Sequence, residues 1–152
     1  MSYRARLNIE QRIARLIAHA KALDDDETKA EVAKYVCILA SGYVEAACRE
    51  FMDAYTATRA APEILRYVKG KMERFNNPNK ERILGLLNSL DPVLAGRAAV
   101  EMDDELDAIG SIMGHRHQLV HGRNSGISLV QVMDYYQRAR TLFSKLRKLV
   151  SS

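Results

Sequence analysis

Three of the chain's four histidines, His115, His117 and His121, stand beside Arg116 in the stretch GHRHQLVHG at 114–122. Three chemistries could account for such crowding. The first is structural: a protonated imidazole near a helix C-terminus gains about 0.3–1 kcal/mol from the helix dipole. That explains one histidine, not three with an arginine. The second is a metal. His117 and His121 are spaced i, i+4, which puts both rings on one side of a helix. Zinc needs about three protein ligands, yet His115 lies roughly 200° around the helix from His117. Gln118 occupies the place of the glutamate in H-E-x-x-H and cannot act as a base. Arg116 would also repel a cation. A metal centre is therefore not expected.

The third chemistry is metal-free phosphoryl transfer. Imidazole as a class changes charge near neutrality, so it can take a proton from a ribose 2′-hydroxyl or return one to a leaving 5′-oxygen. Guanidinium offers a permanently charged fork that fits a phosphate and the added charge of a pentacoordinate transition state. Arg116 and His121 are five residues apart, about 140° around an ideal helix. One helix cannot easily aim both at one phosphate, unless Gly122 loosens the last turn or a second copy completes the site. His19, alone on the first helix, needs no such explanation.

Helices must carry these residues, because no strand-like alternation persists while helical periodicity recurs. Ile9, Ile13, Leu16, Ala20 and Leu23 form one stripe. Asp24 with Glu27 has the spacing of a capping box, opening a second helix that runs to about Thr58. That helix has two apolar stripes, one through Val32, Val36, Leu39, Tyr43 and Ala46, the other through Cys37, Val44, Cys48, Phe51 and Tyr55, so it belongs mid-bundle. Pro62 starts a third helix. FNNPNKERILGLLNSLDP reads as a turn, a short helix and a stop. An acidic helix follows, from about Asp103 to His121, with Leu106, Ile109, Met113 and Val120 inward and Gly122 ending it. After the RNSGIS loop, Ser128 and Gln131 cap a last helix whose stripe is Leu129, Met133, Tyr136, Ala139, Phe143, Leu146 and Val150. The expected fold is all-α: one domain over residues 1–152, a helical bundle of about five to six helices.

Composition fits that expectation. The 152 residues are 47% hydrophobic and 28% charged, with no apolar run near the ~20 residues that span a bilayer. MSYRARLNIEQR has no apolar core of a secretory signal, so a cytoplasmic protein is expected. Cys37 and Cys48 share a helix face but lie three turns apart, too far for a disulfide, and read as buried thiols. The net charge is +4. From residue 114 onward seven basic residues face one acid, Asp134, so the positive charge gathers in the third of the chain that holds the histidines. A phosphate-bearing partner would be drawn there, although a solvated basic face would look the same.

RHQLVH at 116–121 is an R-x4-H motif, followed by a glycine, a short loop and a final amphipathic helix bearing Tyr135 and Tyr136. With SGYVEAACREF and FNNPNKERILGLL upstream in the same order, roughly residues 30–150 resemble the HEPN superfamily of helical domains, in its RiboL-PSP branch. The resemblance implies a metal-independent endoribonuclease of toxin or defence type, with no cofactor and RNA as its substrate. Its products would be 2′,3′-cyclic phosphate and 5′-hydroxyl ends. It implies that Arg116 binds the scissile phosphate and His121 is the general acid or base. His117 stands where many members have Asn, with a role in orienting Arg116 or sharing proton transfer. Glu45 resembles an acidic position that contacts the motif arginine; an i, i+4 ion pair with Arg49 is the plainer alternative. Arg123 and Asn124 in the loop, with Arg138 and Arg140 on the last helix, would hold RNA backbone. The family also implies a homodimer with facing motifs and leaves room for an antitoxin or nucleotidyltransferase partner. Some members carry a modifiable tyrosine two residues after the motif histidine; Arg123 stands there instead. The alternatives are a non-catalytic module of the same type, binding nucleotide, RNA or a partner protein, and a purely structural helical protein.

Overall fold

The computed structural model describes residues 2–151, as seven helices: α1 (Ser2–Lys21), α2 (Asp26–Ala57), α3 (Pro62–Met72), α4 (Lys80–Leu90), α5 (Pro92–Glu101), α6 (Asp103–Val120) and α7 (Leu129–Ser151). Among the described residues there is no strand, and the chain is an all-α, single-domain bundle. Among the described residues no helix is long and apolar enough to cross a membrane.

Helix α2 is the axis. It packs against α1, α3, α6 and α7, which is why it needs apolar residues on two sides. Both expected stripes are realised: Val36, Tyr43, Ala46, Cys37, Val44, Cys48 and Phe51 are buried, while Val32, Leu39 and Tyr55 pack against the core. Helix α1 lies antiparallel along it, Ile9 reaching Gly42 and Arg6 bonding Glu50. Tyr43 meets Tyr136 and Phe143 of α7 edge-on, with ring centroids at 5.3 and 6.1 Å. Such pairs contribute about 0.5–1.5 kcal/mol each beyond area burial. Cys37 and Cys48 are free and buried. Burial is the main cause that pushes their thiols up, to about 11 and about 12.

The structure corrects three expectations about the elements. The cap of α2 is Asp25, whose carboxylate accepts from Glu27 N and the Thr28 hydroxyl; the capping residue is thus one place later than Asp24. The described residues form seven helices where about five to six were expected, because Asp91 is both stop and start. It closes α4 and then caps α5 by accepting from Val93 N at 3.0 Å, with Pro92 in the first turn. Val120 continues the inward stripe of α6 but is 51% exposed, since the last turn of α6 runs past the end of the core.

Candidate functional site

The histidine motif occupies the last two turns of α6, and three devices fix that helix in place. Its first turn is acidic, Asp103, Asp104 and Glu105, which suits the positive end of the dipole. Lys80, just inside α4, bridges Asp103 and Asp107 at 2.7 and 2.8 Å. Glu105 pairs with Lys145 of α7. Burial disfavours the Glu105 carboxylate, but the Lys145 hydrogen bond and charge outweigh it, holding the group below the ordinary carboxylate range.

The C-terminal end is a Schellman turn. Arg123 N donates to Gln118 O at 2.9 Å and Gly122 N to Leu119 O at 3.1 Å, with Gly122 at φ +72°. Both bonds satisfy carbonyls that the helix end leaves open, and the turn requires a residue that tolerates positive φ. The loop beyond is held by Asn124 Oδ1 accepting from Gly126 N at 3.1 Å and by buried Ile127. Ser128 and Gln131 then bond reciprocally, Ser128 N to Gln131 Oε1 at 3.0 Å and Gln131 N to Ser128 Oγ at 3.1 Å. This is the expected capping box.

Within this frame the three histidines do different things. His117 and His121 pair edge-to-face, ring centroids 4.5 Å apart, and both are exposed. His121 is the residue at which the helix stops. His115 turns the other way and stacks on Tyr135 of α7 at 6.1 Å, so it helps join α6 to α7. Arg116 is half-buried on the α2 side, close enough for its charge to oppose the burial shift on Cys37. Among the described residues no carboxylate pairs with Arg116, which leaves its guanidinium uncommitted. A shallow polar depression of about 440 Å³ beside the motif is lined by Ser111, Gly114, His115, Gln118, Asn124 and Ser125. Neither Arg116 nor His121 lines it. In one chain, then, Arg116 and the His117–His121 pair share a helix end but face different ways, His117 lying about 100° and His121 about 140° around an ideal helix from Arg116. Among the described residues no three His, Cys, Asp or Glu side chains come together as metal ligands.

The remaining expected residues divide. Arg123 and Asn124 are exposed in the loop next to the motif. Arg138 pairs with Asp134 one turn back, at 3.0 Å. Arg140 lies roughly 200° around α7 from it, against Glu10 of α1 at 3.6 Å and over the Tyr136 ring. The two arginines therefore do not form one track with the loop. Glu45 is not at the motif. Its carboxylate accepts from Asn77 N at 2.6 Å and secures a turn in which Asn77 has φ +50°. Arg49 donates instead to Met72 O and Asn76 Oδ1, so the Glu45–Arg49 pair does not form either. The turn that Glu45 holds leads to Lys80, which bonds Asp103 and Asp107 of α6; Arg116 is nine residues beyond Asp107, about 14 Å along the helix.

Sequence reasoning missed a second polar cleft, between α1 and α7, lined by Arg6, Glu10, Tyr43, Arg140 and other residues of α7. Its members are far apart in the chain, and no local spacing signals it.

Compared with known proteins, the chain matches no family model, no curated protein and no solved structure.

Proposed function

We propose that the protein is a metal-independent endoribonuclease of the HEPN type, acting at Arg116 and His121 as a toxin or defence-type effector in the cytoplasm. The observation that carries the proposal is the end of α6, where an uncommitted Arg116 guanidinium stands one residue from an exposed His117–His121 pair. The reaction needs nothing more than these groups. One imidazole takes the proton of a ribose 2′-hydroxyl as the 2′-oxygen bonds to phosphorus. The bond from phosphorus to the 5′-oxygen breaks, and an imidazolium protonates that leaving oxygen. Arg116 neutralises the added charge on the phosphoryl oxygens. The products are a 2′,3′-cyclic phosphate and a 5′-hydroxyl, and no water is consumed.

Because Arg116 and His121 diverge within one chain, the proposal includes a homodimer in which Arg116 of one copy and His121 of the other flank one phosphate. Val120, exposed at the same helix end, gives that contact an apolar centre. Arg123 and Asn124 border the motif and would meet the RNA backbone. Arg138 and Arg140 point about 200° apart on α7, so the two do not extend that track together. An antitoxin or nucleotidyltransferase would be a separate chain.

The test is incubation of the purified protein with labelled structured RNA in excess EDTA, beside Arg116→Ala and His121→Ala. Cleavage by the parent, with cyclic-phosphate ends, should fall at least about 10²-fold in either variant. Variants that cut as well as the parent would overturn the site. Salt-sensitive RNA binding without scission would favour the non-catalytic module instead.

A further inference from the structure

We propose that the cleft between α1 and α7 is a second ligand site, which takes a small molecule through a terminal, doubly charged phosphate. The cleft has a volume of about 480 Å³. Its floor is Tyr43, only 2% exposed and wedged between Tyr136 and Phe143. Among the described residues nothing hydrogen-bonds the Tyr43 hydroxyl. Yet among the described residues no fully buried side-chain polar atom lacks a partner. The hydroxyl therefore touches the open space of the cleft. Burial, reinforced by Glu10, keeps this phenol above its ordinary range, so it remains a neutral donor.

Charge decides the ligand class. Arg6 and Arg140 share one carboxylate, Glu10, at 2.9 and 3.6 Å. Arg6 also pairs with Glu50, and Lys145 with Glu105. Arg147 and Lys148 line the cleft with no carboxylate partner among the described residues. Five cations thus meet three carboxylates, a surplus of two, which is the charge of one fully ionised terminal phosphate. The Arg140–Glu10 distance is too long for a hydrogen bond, so the donors of that guanidinium, 48% exposed, are unspent. A bound phosphate would have Arg140 and the Arg147–Lys148 pair on its walls and the Tyr43 hydroxyl beneath it.

A phosphodiester fits less well. It carries one charge and a sugar on each side, so it cannot descend to the floor end-on. The cleft is also remote from the motif: Arg147 is twelve residues beyond Tyr135, the partner of His115, or about 18 Å along α7.

Calorimetric titration of the full chain with pyrophosphate, and separately with adenosine 5′-diphosphate, at about 0.15 M salt tests the site. The variants are Arg147→Ala/Lys148→Ala, Tyr43→Phe, which removes only the hydroxyl, and Arg116→Ala. One site per chain is expected. The double variant should weaken binding at least about tenfold and Tyr43→Phe several-fold, while Arg116→Ala should bind like the parent. Equal affinity for both probes assigns the cleft to inorganic phosphates, and tighter binding of the diphosphate assigns it to nucleotides. The proposal is overturned if neither probe binds the parent, if Tyr43→Phe and the double variant bind unchanged, or if Arg116→Ala loses as much as the double variant.

Discussion

Replacing Gly122 by alanine adds one methyl group, and nothing lies within 4 Å of where that methyl would go. The whole cost therefore comes from the backbone, which holds φ at +72° to make the Schellman turn. For an L-residue the left-handed region costs about 1–2 kcal/mol. Alanine also narrows the unfolded ensemble, which returns about 0.4–1 kcal/mol. The net loss is about 1 kcal/mol. Gly114 provides the control. It lies eight residues earlier, inside α6, is exposed, has an ordinary helical φ and likewise has open space at its Cβ position. There the same substitution should stabilise, by roughly 0.5–1 kcal/mol. Urea unfolding followed by circular dichroism should thus move the two midpoints in opposite directions with unchanged slope. In thermal scans Gly122→Ala should unfold about 2–4 °C below the parent. If Gly122→Ala is as stable as the parent, or Gly114→Ala loses as much as Gly122→Ala, the conformational explanation for the end of α6 is wrong. On the proposed function, RNA cleavage by Gly122→Ala, assayed well below its midpoint, should fall as well, because the turn sets the direction of His121.

Three further outcomes follow from the same geometry. On the proposed dimeric nuclease site, mixing Arg116→Ala with His121→Ala protein should restore about a quarter of parent cleavage, since random exchange makes half the dimers mixed and each mixed dimer has one intact composite site; no recovery after exchange would place the whole site in one chain. Cys37 and Cys48, with thiols pushed up to about 11 and about 12 by burial, should resist a thiol reagent at about pH 8 and both react once the protein is unfolded in guanidinium; rapid labelling of the native chain would contradict their burial. The Glu105 carboxyl is held below its model-peptide value of 4.5, so its pairing stabilises the fold above that pH and the contribution disappears as pH falls through the lower folded value. The parent should therefore lose its stability advantage over Glu105→Gln in acid, and a constant difference between the two across pH 3 to 7 (a window set by ordinary carboxylate titration) would argue against the Lys145 pair.

Much of the fold was legible because helices are written in short-range pattern. The two stripes of α2, the stop at Gly122 and the Ser128–Gln131 box depend on residues three or four apart, and all are present in the structure. Asp91 and Pro92 misled because one Asp-Pro step can end one helix and begin the next, and the choice depends on whether Leu94, Ala95 and Ala98 find a core to enter. Asp24 misled by one residue because three successive aspartates offer the same oxygen at adjacent positions. The candidate site divided along the same line. Grouping of Arg116, His117 and His121 on one helix end follows from their spacing, and so does their divergence. Glu45 could not be assigned, because its partner Asn77 is thirty-two residues away and belongs to a turn whose position is set by α3.

By itself the sequence determined where most of the helices lie, most of their apolar faces, and that one arginine and two histidines crown the end of α6, since each of these depends on neighbours within a turn or two. The tertiary structure alone decided which charges are spent and which are not. Glu45 serves a distant turn, among the described residues Arg116 meets no carboxylate, and the five cations of the cleft between α1 and α7 meet only three. An ion pair depends on distances between side chains from different helices, and those distances exist only once α1, α2, α6 and α7 have packed.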